Sequence, residues 1–293
     1  MMVEYVEVAP RDGLQNEPLS LSVDKKVALI EKAIAAGARR LEVASFVRPD
    51  AVPQMAGAED VVARLVPDAA RYIGLVLNKR GAFRALETNV HEVGFVCVAS
   101  DTFGMRNQRQ TSEQSLSEAR EVFAIAQDMG RAAHAMIGVA WGCPFEGATP
   151  PDRVLAMAEM LAEQGSMEIG LADTIGVARP DEVESLTRRV RTVVAPIPVR
   201  VHLHDTRGMG VANAMAAIAG GASILDAAIG GTGGCPFAPG SAGNLATEDL
   251  SYALGKGLDV DLDAVVQTAL WLNEQLSRTR SSAIVRASMA SAG

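Results

Sequence analysis

Short runs rich in apolar and β-branched residues recur along the chain. Between them, apolar positions fall at the three-and-four spacing of amphipathic helices. The runs predict eight strands: Val3–Ala9, Arg40–Ser45, Tyr72–Leu77, Glu92–Ala99, Ala135–Ala140, Met167–Ala172, Val199–His204 and Ile224–Gly230. The helical stretches include SVDKKVALIEKAIAAG from Ser22, TSEQSLSEAREVFAIAQDMG from Thr111 and DRVLAMAEMLAEQG from Asp152. Ser22 offers an N-terminal cap to the first, and Gly37 stands where a helix ends in a left-handed residue. Strict alternation of strand and helix implies parallel strands, right-handed crossovers and helices covering the sheet. Eight such units favour an α/β fold closed into a (β/α)8 TIM barrel, with an open doubly wound sheet as the alternative. Two further helical stretches, Glu248–Gly257 and Leu262–Arg278, follow the eighth strand and can close the bottom or pack outside. Residues 1–293 thus read as one barrel domain, with 247–293 as a helical C-terminal extension.

Composition narrows the classes. A chain of 293 residues, 48% hydrophobic and 21% charged, can build an ordinary globular core. A formal net charge of -8 argues against nucleic acid and anionic membrane surfaces as partners. No apolar run approaches the ~20 residues of a membrane span, and MMVEYVEVAPRDG lacks the features of a signal or transit peptide. Cys97, Cys143 and Cys235 are odd in number and widely spaced, so no disulfide framework is expected and a reducing cytoplasm is. A homodimer is the default expectation for the assembly.

In a barrel, chemistry belongs at the C-terminal ends of the strands, and polar residues gather there. Strand one runs into APRDGLQNE with Arg11, Asp12 and Gln15, strand two contains Glu42, and strand three ends at Asn78. Strand six ends at Asp173, and strand seven reads VHLHDT. His202 and His204, two apart on a strand, face the same way. Two imidazoles with the Asp12 carboxylate and the Asn244 amide oxygen make a mixed N/O shell suited to Mg²⁺ or Mn²⁺, Zn²⁺ being possible. Arg11 is either an ion pair with Asp12 or a guanidinium that stabilises an enolate or thioester oxygen. Glu42 and Asp173 either hold Arg11 and the loop backbone or act directly. Cys235, framed in GGTGGCPFAPGSAGN, is either a buried apolar residue or a proton donor or acceptor over a cationic site. Cys97 reads as core and the role of Cys143 stays open. His91 and His134 are expected to face solvent at helix–strand junctions, and most of the twelve methionines to pack.

VAPRDGLQNE, LEVASFVRPDAVPQMA, GCPFEG, LADTIGV, VHLHDT and GGTGGCPFAPGSAGNLATEDL together resemble the 3-hydroxy-3-methylglutaryl-CoA lyases, metal-dependent TIM-barrel enzymes related to carbon–carbon synthases. The likeness runs from about Val3 to Leu276. It implies Asp12, His202, His204 and Asn244 as ligands of a divalent metal, Arg11 as the group that stabilises the enolate, and Cys235 as the group that exchanges the proton. Glu42 and Asp173 match acidic residues around the substrate. The implied reaction cleaves a 3-hydroxy-3-substituted glutaryl-CoA to acetyl-CoA and a 3-keto acid, with Asp12 or His202 as base. Two positions depart from the family: Arg207 replaces a usual tyrosine, and Ala51 replaces a frequent tryptophan. Both leave the acyl group open, so a lyase for a related or longer 3-hydroxyacyl-CoA is the near alternative. Gln15, Asn78, Lys79, Arg80, Arg207 and the basic residues of Arg106–Arg109 are candidate substrate or CoA contacts. Remaining readings are a Claisen-type synthase, a CoA-independent aldolase and a non-enzymatic acyl-CoA-binding relative.

Overall fold

A computed structural model describes residues 2–234, 243–279 and 282–291. Eight parallel strands close on themselves: β1 (Glu4–Glu7), β2 (Arg40–Ser45), β3 (Arg71–Val76), β4 (Glu92–Val98), β5 (Ala132–Gly138), β6 (Ile169–Asp173), β7 (Val199–Leu203) and β8 (Ile224–Ala227). They stand in sequence order, and β1 seals the ring against β8 with Glu4 opposite Ile224 and Glu7 opposite Ala227. The expected (β/α)8 barrel is the fold, and the open sheet is excluded.

Local chemistry sets the outer helices. α1 (Val23–Ala35) is capped by Ser22, which accepts from the Lys25 N–H. Gly37 follows its C-cap with φ of +113°, and a Cβ added there would lie 2.8 Å from the Asp259 carbonyl oxygen, so any side chain would be strained. α3 (Lys79–Leu86) is capped by Asn78, and α5 (Ser112–Asp128) by a reciprocal Thr111–Gln114 box. α2 (Ala58–Ala63), α4 (Asp101–Asn107), α6 (Pro151–Glu163), α7 (Pro180–Val194) and α8 (Gly210–Gly220) complete the ring up to β8.

After β8, α9 (Thr247–Leu254) and α10 (Leu262–Leu276) match the two further stretches the sequence predicts. α10 packs on α1 and on the Ile229–Gly231 turn. The segment between them joins the barrel base, with the Val3 N–H on the Gly257 carbonyl and the Asp261 N–H on the Ala36 carbonyl. A third helix, α11 (Ala283–Ser291), is additional, its first N–H groups held by the Asp249 carboxylate. Among the described residues no helix is long and apolar enough to cross a membrane.

Three local features differ from the sequence reading. β1 stops at Glu7 because Val8 leads into a π-helical turn, Ala9–Gly13, whose Arg11 and Gly13 N–H groups return to the Val8 carbonyl. A small hairpin pairs Gly142–Cys143 with Gly147–Ala148. Finally, β5 begins three residues earlier than expected. Its alanines carry little strand propensity, but pairing of Ala132 with Glu92 and His134 with Gly94 draws them into the sheet.

That shift corrects the reading of His134. It does not face solvent but is 3% exposed, inside the barrel, its Nε2 close above Gly94. It belongs to a buried charge network at the lower half of the barrel. Arg40 donates to Glu92 and to Glu168 (2.7 Å), and Arg200 pairs with Asp226 and Glu168. His134 lies between Glu92 and Arg200, at 3.5 and 3.3 Å. His91 is half-buried, and its Nδ1 accepts from the Tyr72 N–H. Cys97 is core, as expected, and Cys143 is a buried free thiol 3.0 Å from Ser100 Oγ.

Candidate active site

At the C-terminal ends of the strands a cavity of about 220 Å³ opens into the barrel. The turn after β1 and strands β2, β7 and β8 bring Arg11, Asp12, Glu42, His202, His204 and Asp226 to its lining, while β3, β4, β5 and α4 bring Leu75, Phe95, Val98, Met136 and Phe103. A few convergent polar groups among apolar side chains is the arrangement of a small-molecule site.

The π-helical turn after β1 puts two consecutive residues to work. Arg11 Nε donates to Glu42 Oε2 at 2.7 Å, Nη2 donates to the same oxygen, and Nη1 donates to Asp12 Oδ1 at 2.6 Å. The guanidinium is thus fixed between two carboxylates, one from β2 and one from its own turn. Burial disfavours its charge, but Glu42 and Asp12 outweigh that and strengthen the cation.

Asp12 stands next to both histidines. Its carboxylate, His202 and His204 bring ligand atoms within 4.8 Å of one another. The rings of the two histidines are 5.2 Å apart. His202 Nε2 lies 3.8 Å from Asp12 Oδ2. Two donors each about 2.1 Å from one ion are separated by about 3 to 4.2 Å, so this spacing fits a shared cation. Asn244 completes the group, its Nδ2 donating to Asp12 Oδ2 (2.7 Å) and to the Thr232 carbonyl (2.9 Å). Two buried atoms here, Asn244 Oδ1 and His204 Nδ1, have no hydrogen-bond partner among the described residues. Such orphans cost about 1–3 kcal/mol each unless another group satisfies them. Orphaned donors of these types beside a carboxylate fit a divalent cation, so this is a possible metal site.

Electrostatics prepare the donors. Burial would raise the Asp12 carboxyl, but Arg11 and the two histidines hold it well below the usual carboxylate range. Burial and the neighbouring His202 push His204 down to about 4, which keeps its ring neutral at neutral pH. For His202 burial also lowers the value, but Asp226 and Asp12 outweigh it and raise it overall.

The other sequence candidates are placed as follows. Asp173, on β6, is 1% exposed, and its two oxygens accept the N–H groups of Val177 and Ala178 at 2.9 and 3.0 Å. It thereby holds the loop before α7. Gln15 lines the cavity, its buried Oε1 without a hydrogen-bond partner among the described residues. Asn78 caps α3 and Arg207 Nη1 donates to the Gly176 carbonyl at 2.6 Å, both outside the cavity lining. Lys79 pairs with Glu121, and Arg106 stacks 4.1 Å from the centre of the Phe145 ring. Cys235 lies outside the described residues. The glycine stretch before it is anchored at the site: Asn16 Nδ2 donates to the Gly234 carbonyl, and Glu17 accepts from the Gly233 N–H. Arg278 donates to the carbonyls of Gly230 and Gly231.

Sequence reasoning missed Asp226, Arg200, Glu7 and Glu248. Asp226 is a lone acid in the apolar run SILDAAI, and Arg200 precedes His202 by two and so shares its face. Both signals were present in the strand period. Glu7 accepts from the N–H groups of Ala9 and Ile229, and Glu248 from that of Gly230.

Fold and site together define a TIM-barrel enzyme with a candidate metal centre beside a fixed guanidinium. The HMGL-like family pattern matches residues 2–276. The chain is 43% identical to an (R)-citramalyl-CoA lyase of Chloroflexus aurantiacus, over 94% of this chain and 92% of the other. It is 39% identical to a hydroxymethylglutaryl-CoA lyase of Pseudomonas mevalonii, with the same two coverages. Among solved structures, an HMG-CoA lyase from Acinetobacter baumannii in complex with coenzyme A and 3-methylmalate superposes with a TM-score of 0.92. That match is at 37% identity and covers 98% of this chain and 95% of that one. The chain belongs to the HMGL-like family and is a carbon–carbon lyase.

Proposed function

We propose that the protein cleaves 3-hydroxy-3-methylglutaryl-CoA to acetyl-CoA and acetoacetate. One observation carries the reading: Arg11, locked between Glu42 and Asp12, stands beside Asp12, His202, His204 and Asn244 in a single cavity. Breaking the C2–C3 bond removes the proton of the tertiary hydroxyl and moves the bonding electrons onto the thioester as an enolate. That charge needs a fixed cation, and the Arg11 guanidinium supplies one without reorganising. The Asp12 carboxylate or the His202 ring takes the hydroxyl proton. Asp12, His202, His204 and Asn244 would hold a divalent cation, Mg²⁺ or Mn²⁺, which when bound would lower the hydroxyl pKa and fix the substrate's orientation. Cys235 then delivers a proton to the enolate carbon, giving the methyl group of acetyl-CoA. Glu42 and Asp173 act by holding Arg11 and the loop before α7. Gln15 contacts the substrate inside the cavity, and the CoA portion extends beyond the cavity lining, where Asn78 and Arg207 are its candidate contacts. The apolar side chains of Leu75, Phe95 and Val98 pack the alkyl part and keep water from the enolate. The free, buried thiols of Cys97 and Cys143 suit a reducing cytoplasm.

A second reading follows from the relative at 43% identity: (R)-citramalyl-CoA, shorter by one methylene between the hydroxyl carbon and the carboxylate, is cleaved by the same chemistry to acetyl-CoA and pyruvate. Mass spectrometry of products from each substrate separates the two. Acetoacetate from the first substrate is the expected outcome. Pyruvate from the second with no acetoacetate from the first would replace the primary reading, and acetyl-CoA from neither would remove both.

A further inference from the structure

Asp226 has no part in the chemistry above, yet it touches that chemistry. It stands on β8 with its Oδ2 2.9 Å from His202 Nδ1, while its Oδ1 takes the Nε–H of Arg200. All three side chains are buried, Arg200 and Asp226 at 2% exposure and His202 at 7%. Arg200 shares the inner face of β7 with His202, so one strand supplies both partners of the carboxylate.

The hydrogen positions follow from the donor inventory. An ionised carboxylate only accepts, so the ring nitrogen that faces it carries the hydrogen. The buried Arg200 guanidinium, which bonds Oδ1 and has no neutral form to offer, pairs the acid as a carboxylate. With hydrogen on Nδ1, the neutral ring has its lone pair on Nε2, the nitrogen that faces Asp12 Oδ2 at 3.8 Å. We propose that Asp226, anchored by Arg200, is a positioning residue that fixes His202 as the Nδ1–H tautomer and presents Nε2 to the cation. This inference rests on the metal reading of Asp12, His202, His204 and Asn244. One consequence bears on the mechanism. With Nδ1 bonded and Nε2 turned to the cation, His202 has no lone pair left for the substrate hydroxyl, which removes it as the base.

Asp226→Asn is the informative change, because Arg200 decides how the amide turns. Arg200 Nε needs an acceptor, so the amide oxygen stays on Arg200 and the NH2 faces His202. Nδ1 must then accept, hydrogen moves to Nε2, and the lone pair facing the cation is lost. Metal-stripped wild type and variant would be titrated with Mn²⁺, bound and free ion being read by electron paramagnetic resonance. A partner behind a metal-binding histidine is worth about 10–100-fold in affinity, and a loss of that size is expected. A merely structural role would instead lower the melting temperature and leave the affinity of the folded fraction unchanged.

The wild type gives a second measurement that needs no substitution. With ¹⁵N-labelled histidine there are four rings to resolve, and comparison with His202→Gln assigns the relevant one. At a pH where the ring is neutral, the nitrogen shifts report which atom carries hydrogen, and Nδ1–H is expected both without metal and with Mg²⁺. An Nε2–H ring, or an Asp226→Asn variant that binds Mn²⁺ as tightly as wild type, overturns the positioning role alone. Failure of wild type to bind Mn²⁺ overturns the metal reading and this proposal with it.

Discussion

Replacing Glu42 tests the Arg11 geometry most sharply. Both the Nε and the Nη2 of Arg11 donate to the single oxygen Oε2, so Glu42→Gln keeps an acceptor in place and removes only the charge. Hydrogen bonds to a charged group contribute about 1.5–3 kcal/mol, and neutral ones about 0.5–1.5. Two bonds weakened in this way release roughly 2–3 kcal/mol of the hold on Arg11. About 2 kcal/mol expressed in the transition state is roughly 30-fold in rate. Glu42→Gln is therefore expected to lower kcat by roughly 10–100-fold with little change in KM. Glu42→Ala goes further, since Arg11 is then free to turn wholly onto Asp12 and compete with a cation for it. Its expected loss is about 10²–10³-fold, the range found when one stabiliser of a developing oxyanion is removed. The assay is initial-rate release of acetyl-CoA at saturating substrate, with thermal melts to confirm folding. If both variants kept kcat within about twofold of wild type, Glu42 would not be what holds Arg11 in the reacting position. An effect confined to KM would place Glu42 in substrate binding.

Three further changes probe the frame around the site. Burial pushes the Glu248 carboxyl up to about 7 from an ordinary 4.5, and that of Glu7 similarly. An acid raised on folding contributes stability that is complete below its ordinary value and lost as pH rises through about 7, a swing on the order of 3 kcal/mol per group. Glu248→Gln should flatten the fall in stability between pH 5 and pH 8 in urea melts, and an unchanged slope would refute the assignment. Gly233 has φ of +99° and an added Cβ would lie 2.6 Å from Asn244 Nδ2, so Gly233→Ala should displace Asn244 and weaken Mn²⁺ binding at least tenfold. Unchanged Mn²⁺ binding would take Asn244 out of the ligand set. Cys235→Ser should cut turnover by about 10²-fold or more without altering Mn²⁺ affinity, and normal turnover would assign the proton to another group.

The barrel was legible because eight strand runs and their intervening helices each obey one period, and closure needs only their count. The upper ends of the strands were legible too, since Arg11, Asp12, His202 and His204 are polar residues where an apolar run stops. The polar layer below them was not. Arg40, Glu92, Arg200 and Asp226 lie in strands and Glu168 directly before one, where a pattern of hydrophobic positions treats charge as an interruption. Only three-dimensional pairing shows that each charge is met. His134 was misplaced for a related reason: alanines start β5, and the pairing with β4, rather than propensity, recruits them. Arg278, nearly fifty residues beyond the Gly230 and Gly231 carbonyls it binds, carries no local signal.

The account turns on whether Asp12, His202, His204 and Asn244 form one metal centre that the carbon–carbon cleavage requires. Metal-stripped enzyme titrated with Mn²⁺ tests this directly, with bound ion and acetyl-CoA release from 3-hydroxy-3-methylglutaryl-CoA followed together. The expected result is no turnover without metal, activity rising in step to one ion per chain, and neither binding nor turnover in a folded His204→Ala variant. Full turnover by the stripped enzyme, or by that variant, would contradict it.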